Sequence, residues 1–377
     1  MNIAILGAGM VGRTMAIDLS KTHQVTSFDV NAGALDVLGT MAPSVYGRVV
    51  DLCDFGSYAS LLQGFDFVIT AVPGFMGYKT LEAVIRAGKS VADISFFPED
   101  ALALDALARK HNVTAIVDCG VAPGMSNYVI GYHNSKMKID SFECMVGGLP
   151  VLRIKPFEYK APFSPIDVIE EYTRPARMME NGRIVTKVAL SEPELVDFEQ
   201  AGTLEAFNTD GLRSLLYTMG HIPDMREKTL RYPGHIDLIK SLIKGGFFNT
   251  EPMEYKGMKI SPLEFSSAVL MDQWKSKPGE GEFTIMRIKL SGTQNGTSYS
   301  ISYDLYDVYD EATRLSSMSR TTGYTCTASL QLIMNGLFTK KGVFPPELVA
   351  GGEGCFHYVM EYLRDRGVVY KVSESRS

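Results

Sequence analysis

Apolar and polar residues along the first part of the chain predict strands and helices in regular alternation. An apolar run at Asn2–Leu6 breaks on the glycine turn Gly7–Gly12, and apolar residues then recur at helical spacing up to Leu19. Helical segments separate further apolar runs that predict strands at 25–28, 44–50, 65–70, 90–92 and 114–117. Six strands interleaved with helices are typical of an α/β fold, the doubly wound parallel sheet of the Rossmann type.

The pattern changes after the sixth strand. The turn-rich segment Asp118–Gly124 leads into longer, alternating, tyrosine-rich runs, which predict a mainly antiparallel sheet with one face covered by helices. Helical spacing returns from about Thr321 and predicts helices that pack back on the first domain. The sequence therefore predicts a Rossmann domain at 1–124, completed by 321–377, and an inserted α+β domain at 125–320.

The glycine turn carries the first chemical signal. Gly7 permits a sharp exit from the strand, Gly9 lets the backbone approach a pyrophosphate, and Gly12 lets the following helix pack on the strand. Asp29 ends the second strand, where this fold holds the adenosine ribose. Its carboxylate repels a 2′-phosphate and residues 30–33 include no Arg or Lys, so NAD is favoured over NADP as the cofactor.

Small residues follow the fourth strand. Ala71, Val72 and Pro73 leave room for the nicotinamide half of the cofactor, although an ordinary strand-to-helix turn explains them equally well. The complete set of predicted cofactor-binding residues is Gly7, Gly9, Met10, Val11, Gly12, Asp29, Val30, Asp51, Ala71, Val72 and Pro73.

Composition and charge argue against several classes of protein. The 377 residues carry a net charge of −6 without a basic block, so we expect neither nucleic acid nor an anionic membrane as a partner. The first strand begins at residue 2 and no apolar run is long enough to span a bilayer, so we expect a cytoplasmic protein. The five cysteines and six histidines lack the spacing of zinc sites, so we expect no metal and assign any redox chemistry to the organic cofactor.

Three residues are candidates for proton transfer, which a hydride-transfer enzyme requires. Asp93 and Asp118 each follow a parallel strand at the edge where the cofactor is expected, which favours a role in the site over a solvated loop position. His235 follows a Pro-Gly turn and is either a proton carrier or a structural residue bonded to the backbone.

Arginines of the second domain are candidates for binding a carboxylate, because a planar guanidinium matches it in a bidentate manner. Arg174 and Arg177 lie in the block Glu170–Arg177 and either face a ligand or pair with the acids of that block on a helix.

Two other polar segments add candidates. Asp210 precedes an apolar segment predicted as a helix and is either a ligand-binding acid or the N-cap of that helix, and Arg213 lies in the same turn. Arg320 lies in the hydroxyl-rich segment Ser316–Gly323, which we predict to be a loop.

Seven motifs lie in order along nearly the whole chain: Gly7–Gly12, Asp118–Gly124, the turn Gly147–Pro150, Glu170–Arg177, Asn208–Arg213, Thr229–His235 and Ser316–Gly323. Together they resemble the saccharopine dehydrogenase-like family. The resemblance implies a Rossmann domain completed by C-terminal helices, an inserted domain for substrate binding and dimerisation, and a homodimer or higher homo-oligomer.

The resemblance also implies an activity, the NAD-dependent oxidative deamination of L-lysine at its ε-carbon, with release of ammonia and cyclisation of the semialdehyde. Saccharopine-forming relatives tend to carry Asp where this chain has Ala122 and Arg where it has Thr209, which fits a substrate without an extra dicarboxylate arm. The implied roles are proton handling by Asp93, Asp118 or His235, α-carboxylate binding by Arg174, Arg213 or Arg320, and α-ammonium binding by Asp210.

Two alternatives remain open at this point. One is a saccharopine or carboxynorspermidine dehydrogenase that works in the reductive direction. The other is an NAD-sensing protein that keeps the fold and has lost turnover. The lysine ammonium, with a pKa of about 10.4, must lose a proton before hydride transfer. The oxidative deamination of lysine therefore predicts an alkaline pH optimum.

Overall fold

The structure, a computed structural model, describes residues 1–161, 165–277 and 279–376 and is built around two large β-sheets. Strands and helices alternate in the first part of the chain as predicted. They are β1 (Asn2–Leu6), α1 (Met10–Leu19), β2 (Gln24–Asp29), α2 (Ala32–Met41), β3 (Tyr46–Val49), α3 (Tyr58–Leu61), β4 (Phe67–Thr70), α4 (Gly74–Arg86), β5 (Ser90–Asp93), α5 (Asp105–Lys110) and β6 (Thr114–Ile116).

The middle of the chain is richer in strands. Its elements are α6 (Met125–Asn134), β7 (Lys138–Pro150), α7 (Pro165–Thr173), β8 (Ala176–Glu180), β9 (Arg183–Lys187), β10 (Glu194–Phe198), β11 (Gly202–Asn208), α8 (Leu215–Thr218), β12 (Asp224–Arg231), α9 (His235–Lys244), β13 (Met253–Tyr255), β14 (Met258–Ile260), α10 (Pro262–Trp274), β15 (Glu282–Gln294) and β16 (Thr297–Val308). The last part contains α11 (Ser317–Met334), β17 (Gly342–Phe344), α12 (Pro346–Val349), α13 (Cys355–Arg364) and β18 (Tyr370–Arg376).

The first sheet has seven parallel strands in the order β17-β6-β5-β4-β1-β2-β3. Along β1, Ile3 and Ile5 point into one buried layer while Ala4 and Leu6 point into the other, so both faces of the sheet are covered. This confirms the predicted Rossmann fold. The seventh strand, β17, comes from the C-terminal part of the chain.

The second sheet has the path β10-β11-β12-β7-β15-β16-β18, with β8 and β9 attached to β12. Its pairs are antiparallel except β12 with β7, which is parallel. The prediction of a mainly antiparallel sheet is therefore confirmed, with one parallel pair at its centre. Helices α7, α9 and α10 contribute buried side chains to the core on one face of this sheet.

The C-terminal helices pack back on the first domain, as predicted, and the buried Asp18 of α1 joins them. Its carboxylate accepts hydrogen bonds from Thr327 at 3.0 Å, Tyr362 at 2.6 Å and the Arg366 Nε at 2.8 Å. The final strand departs from the prediction, because β18 pairs with β16 in the second sheet and not with the first. The last predicted position, 377, lies outside the described residues.

The segment Ser316–Gly323 was predicted as a loop, and this is wrong: α11 begins at Ser317, with the Ser316 side chain accepting the N–H of Ser319 at 3.2 Å. Hydroxyl groups inside the helix bond to carbonyls one turn earlier, as Thr325 does to Thr321 at 2.7 Å. Serine and threonine therefore remain satisfied within a buried helix, although they usually favour turns.

One continuous group of buried apolar side chains links the two sheets. It runs from Ile5 on β1 through Leu330 on α11 to Ile288 on β15. The two sheets therefore share one core, and residues of both sheets line the space between their edges. No helix in the three described ranges is both long enough and apolar enough to cross a membrane.

Candidate active site between the two sheets

The glycine turn between β1 and α1 leaves no room for side chains at two of its three glycines. Gly7 has a φ of +111°, and a Cβ there would lie 2.3 Å from the carbonyl oxygen of Ala71. A Cβ on Gly12 would lie 2.1 Å from the carbonyl oxygen of Gly7. A Cβ on Gly9 would meet no described heavy atom within 4 Å, so the space beside Gly9 is open. This cradle at a helix N-terminus fits the pyrophosphate of a dinucleotide.

The Asp29 carboxylate, at the end of β2, is held against the glycine turn. Its Oδ2 accepts the backbone N–H of Ala8 at 2.7 Å, and its Oδ1 accepts that of Asn31 at 2.8 Å. Val30 and Asp51 lie on the same rim. A carboxylate fixed here is placed to accept hydrogen bonds from ribose hydroxyls and to repel a 2′-phosphate.

A cavity of about 670 Å³ extends from the glycine turn to the second sheet. Its walls include all eleven residues predicted to bind the cofactor. In its other half, five acids line the wall, namely Asp118, Glu170, Glu171, Asp210 and Glu227. Two cations line the same half, Arg174 and Arg231. The cavity therefore joins a dinucleotide-shaped cradle to a second compartment in which carboxyl groups outnumber guanidinium groups.

The open space beside Gly9 gives a direct test of the cradle. The Gly9→Ala variant is expected to unfold like the wild type and to bind NAD at least about tenfold more weakly, because the methyl group occupies only ligand space. The Gly12→Ala variant, whose methyl group meets a backbone carbonyl, is expected to lose about 1–3 kcal/mol of folding stability as well. Fluorescence titration and thermal unfolding measure both. Unchanged NAD affinity in Gly9→Ala would place the pyrophosphate elsewhere.

Asp118 lines the cavity and forms a buried ion pair with Arg213, which follows β11 of the second sheet. The Arg213 Nε lies 3.1 Å and 3.0 Å from the two carboxylate oxygens of Asp118. The Arg213 Nη1 donates to the carbonyl of Phe97 at 2.8 Å, and its guanidinium lies 4.5 Å from the ring centre of Phe96. Arg213 is thus committed to protein partners, and the structure places it behind Asp118.

Asp210 also lines the cavity, and a bidentate pair with Arg177 holds it. The Arg177 Nε and Nη2 each lie 2.9 Å from one of its oxygens, and the Arg177 backbone N–H donates to Oδ1 at 3.1 Å. The next helix, α8, has Ser214 as its N-cap. The alternative of Asp210 as the N-cap of this helix is therefore wrong, and its carboxylate bonds to Arg177 of β8 instead.

Arg174 was predicted either to face a ligand or to pair with an acid of its own block, and both arrangements are present. It pairs with Glu170 one turn earlier on α7, and it also lines the cavity, where its guanidinium lies 5.6 Å from the ring centre of Phe96. Its side chain keeps 25% of its surface exposed. A substrate carboxylate is therefore able to reach this guanidinium from the cavity.

A buried hydrogen-bonded chain links Arg231 to His235. The Arg231 Nε donates to the Tyr172 hydroxyl at 3.0 Å, and that hydroxyl lies 3.0 Å from the His235 Nε2. The His235 Nδ1 lies 2.9 Å from the carbonyl of Phe157, which requires it to be the protonated ring nitrogen. Burial, with the Arg231 charge, lowers the pKa of His235 to about 3. The imidazole is neutral and does not line the cavity. Of the two roles predicted for His235, the structural residue bonded to the backbone agrees with this arrangement.

The carboxyl group of Glu227, which the sequence did not single out, faces the same compartment from β12. Its side chain is buried against Gly211, where a Cβ would lie 1.7 Å from the Glu227 Oε1. Burial first, and then the nearby Glu171 and Asp210 carboxylates, raise the pKa of Glu227 to about 8. A carboxyl group with this pKa is able to act as a general base near neutral to mildly alkaline pH.

Asp93 is fully buried and does not line the cavity, whereas the next residue, Ile94, does. Its Oδ1 accepts hydrogen bonds from the Thr70 hydroxyl and from the Ser95 N–H at 3.1 Å, while its Oδ2 has no partner among the described residues. Burial raises the pKa of Asp93 to about 7. In the described ranges, no cluster of three or more His, Cys, Asp or Glu side chains is arranged to hold a metal ion.

The raised pKa of Asp93 leads us to expect that the folding stability depends on pH. Between pH 4 and 7 the unfolded chain releases the Asp93 proton while the folded protein keeps it, so this group lowers stability as pH rises, by up to about 4 kcal/mol. The Asp93→Asn variant cannot ionise and is expected to gain stability relative to the wild type as pH rises from 5 to 8. Urea unfolding at both pH values measures the difference. A difference that is independent of pH would contradict the assignment.

Arg320 is not brought to the cavity. Its Nη1 donates to the carbonyl of Val308 at 3.0 Å and lies 3.3 Å from the Asp307 carboxylate, and its Nη2 donates to the carbonyl of Arg366 at 3.1 Å. It therefore joins the end of β16 to the segment after α13. Of the predicted catalytic and substrate-binding residues, the structure brings together Asp118, Arg174 and Asp210.

The residues that sequence reasoning missed share one strand. Glu227, Thr229 and Arg231 occupy alternate positions of β12 and line the cavity, while Lys228 points to the other face and bonds to Glu194. The alternation of side chains along a strand was the available signal. It was not recognised because only the end of this segment, the Pro-Gly turn before His235, was interpreted. The predicted turn Gly147–Pro150 is likewise wrong, because it lies within β7.

Two family models together match nearly the whole chain. Residues 3–116 match the model described as the saccharopine dehydrogenase NADP binding domain. Residues 117–368 match the model described as the saccharopine dehydrogenase C-terminal domain. The first covers the glycine turn and the first six parallel strands, and the second covers the carboxyl-rich compartment.

Individual relatives are distant. The chain is 21% identical to the carboxyaminopropylagmatine dehydrogenase of Synechocystis sp., over 92% of both proteins. It is 24% identical to the saccharopine dehydrogenase [NADP(+), L-glutamate-forming] of Schizosaccharomyces pombe, over 67% of this chain and 60% of that protein. The mitochondrial alpha-aminoadipic semialdehyde synthase of Mus musculus is 23% identical over 62% of this chain, which spans only 27% of that protein.

A solved structure shares the fold. Apo saccharopine dehydrogenase (L-Glu forming) from Saccharomyces cerevisiae superimposes with a TM-score of 0.80, over 99% of both chains, at 19% sequence identity. At this identity the likeness establishes the two-sheet architecture and does not identify the substrate.

Proposed function

Because the chain belongs to the saccharopine dehydrogenase family, we propose that it is an NAD-dependent amino-acid dehydrogenase that acts as an L-lysine 6-dehydrogenase. In this reaction the carbon bearing the ε-amino group is oxidised to an aldehyde, allysine, which cyclises to 1-piperideine-6-carboxylate. Ammonia and NADH are the other products.

The observation that carries this proposal is the set of charged groups that the substrate compartment presents to a ligand. Two carboxylates on its wall, Asp118 and Asp210, are available to ammonium groups. One accessible guanidinium, that of Arg174, is available to a carboxylate. Lysine carries two ammonium groups and one carboxylate, whereas saccharopine carries three carboxylates. The compartment therefore supports lysine over saccharopine as the substrate.

We assign the cofactor as NAD. Asp29 is fixed on the rim with both oxygens bonded to backbone N–H groups, and exposed Val30 follows it. A 2′-phosphate would meet the Asp29 carboxylate at close range. This assignment separates the chain from the fission-yeast relative, whose name specifies NADP.

Three cavity residues receive roles in substrate binding. Arg174 binds the α-carboxylate, because its guanidinium is accessible from the cavity. Asp210 and Asp118, held by Arg177 and Arg213, attract the ammonium groups. Asp93 and His235 are buried and do not line the cavity, so we assign them no direct contact with the substrate.

The bound dinucleotide supplies a hydride acceptor for the substrate Cε. The protein contributes a compartment that removes the substrate amine from bulk water and so favours its neutral form, since desolvation lowers the pKa of a cation. A homodimer remains a prediction from the resemblance, which the molecular mass in solution tests.

The deciding experiment follows NADH formation by the purified protein with L-lysine, L-ornithine, saccharopine and diamines, at neutral and alkaline pH. Turnover with lysine that rises with pH and releases ammonia, without glutamate, supports the proposal. Turnover with saccharopine alone would replace the substrate. Tight NAD binding without turnover on any amine would favour the non-catalytic alternative.

A second candidate follows from the Synechocystis relative, which matches over 92% of both chains and is named a carboxyaminopropylagmatine dehydrogenase. A guanidinium-bearing secondary amine suits the carboxyl-rich compartment as well as lysine does. Oxidation of such an amine releases a second amine in place of ammonia. An ammonia assay on the products, together with NADH oxidation by an aldehyde plus an amine, separates the two.

A further inference from the structure

We propose that Glu227 accepts the proton of the reacting substrate amine, an assignment that rests on the proposed function. It is a carboxyl group on the wall of the substrate compartment, and it differs from the other four acids there in its partners.

Glu227 reaches the compartment because of its place on β12. Thr229 and Arg231, at the following alternate positions, face the cavity too, while Arg226 and Lys228 form ion pairs on the opposite face. Its carboxyl end packs on the backbone of Gly211, which also lines the cavity. The tight contact with Gly211 limits where this carboxyl group can move.

Every other acid of the compartment is paired with an arginine. Asp118 pairs with Arg213, Asp210 with Arg177, Glu170 with Arg174, and Glu171 with Arg231. Glu227 forms neither an ion pair nor a side-chain hydrogen bond with any residue in the part of the chain that the structure describes. An arginine partner stabilises the charged form and opposes protonation. Glu227 is therefore the wall carboxyl group that is free of such a constraint.

The charges around Glu227 favour proton uptake. Burial contributes most, then Glu171 and Asp210, and Asp118 acts in the same direction, whereas Arg213 opposes them. Cys144, which lies opposite on β7, is itself buried, and burial raises the pKa of its thiol well above the usual range. With a pKa of about 8, Glu227 is matched to an amine that has to be deprotonated near neutral to alkaline pH.

The proton and electron balance is complete with the proposed cofactor. The substrate ammonium transfers one proton to the Glu227 carboxylate and becomes a neutral amine. The electron pair of a Cε–H bond then leaves as hydride to oxidised NAD, while the nitrogen lone pair forms the C=N bond of an iminium ion. Water adds to this carbon, the C–N bond breaks with release of ammonium, and Glu227 returns its proton to solvent.

The test compares Glu227→Gln with a matched control, Glu143→Gln, whose side chain lies on the opposite face of the sheet against Arg226. Glu227→Gln keeps the shape and removes the proton acceptor, so kcat with lysine is expected to fall about 10²–10⁴-fold. Wild-type kcat/KM is expected to rise through an ionisation near pH 8, and this inflection is expected to disappear in the variant. Glu143→Gln is expected to keep both properties.

A second variant tests the same carboxyl group without changing it. In Gly211→Ala the added Cβ would lie 1.7 Å from the Glu227 Oε1 and displace it, so kcat is expected to fall and the inflection to shift. Adding Gly211→Ala to Glu227→Gln should cause little further loss, because both changes remove one function. Thermal unfolding and NADH binding confirm that each variant is folded.

The outcomes separate the two proposals. If the wild type oxidises lysine and Glu227→Gln keeps its kcat and pH profile, the role of Glu227 is overturned and the proposed function stands. A raised KM with unchanged kcat would also overturn it, because Glu227 would then only attract the ammonium. If the wild type oxidises no amine, the proposed function fails, and the role of Glu227 fails with it.

Discussion

The Asp29→Ser/Val30→Arg variant is expected to use NADP, whereas the wild type is expected to prefer NAD by at least about 100-fold in kcat/KM, or roughly 3 kcal/mol. Asp29 presents a fixed carboxylate to the ribose edge, bonded to Ala8 and Asn31. Removing it abolishes the repulsion of a 2′-phosphate. Val30 is 70% exposed, so an arginine there reaches the rim without disturbing the core.

Single variants serve as controls for this change. Val30→Arg alone retains the carboxylate and is expected to leave NAD preferred. Asp29→Asn removes the charge with little change of shape and is expected to reduce the discrimination without creating a phosphate site. Initial rates with both cofactors measure all three. Equal use of NAD and NADP by the wild type would overturn the cofactor assignment and place this chain with relatives whose names specify NADP.

The Arg231→Met variant is expected to lose about 3–5 kcal/mol of folding stability, because it leaves the acceptors of a buried charge without their donor. Arg231 is 2% exposed. It donates to the Glu171 carboxylate at 2.9 Å, the Tyr172 hydroxyl at 3.0 Å and the Leu230 carbonyl at 2.9 Å. Denaturant unfolding measures the loss.

The same strand offers a matched control. Arg226 pairs with Glu143 on the outer face of the sheet, and its side chain is 50% exposed. Arg226→Met is expected to cost no more than about 1 kcal/mol, since solvent screens the pair. Combining Glu171→Gln with Arg231→Met should recover part of the loss. Equal effects of Arg231→Met and Arg226→Met would show that the buried network contributes little to stability.

The shared core bears on how the site works. A continuous group of buried side chains joins both sheets through α11, and the Asp118–Arg213 pair joins the segment after β6 of the first sheet to the segment after β11 of the second. Opening the cavity by moving one sheet against the other would break these contacts. We therefore expect substrate to enter through local movement at the rim, where Phe75 lines the cavity with 79% of its surface exposed.

The residues of the cofactor half of the site could be predicted from the sequence, and all of them line the cavity. Gly7, Gly9, Gly12 and Asp29 lie within one strand–helix–strand unit, where local backbone geometry fixes their positions. Hydrophobic periodicity likewise revealed the parallel sheet, since its strands are buried on both faces and read as continuous apolar runs. Such features depend on neighbours in sequence.

The substrate half of the site could not be predicted in the same way, because packing brings its residues together from distant parts of the chain. Asp118 and Arg213 are 95 positions apart in sequence, and Asp210 is 33 positions from Arg177. Which acids pair with an arginine, and that Glu227 pairs with none among the described residues, depends on which arginine each acid meets after packing. The hydroxyl-rich start of α11 was misjudged for the same reason, because its side chains meet distant partners: Ser319 accepts a hydrogen bond from Thr14, and Ser317 accepts one from the N–H of Thr284. A polar residue has its role set by its partners, and distant partners are assembled only by the fold.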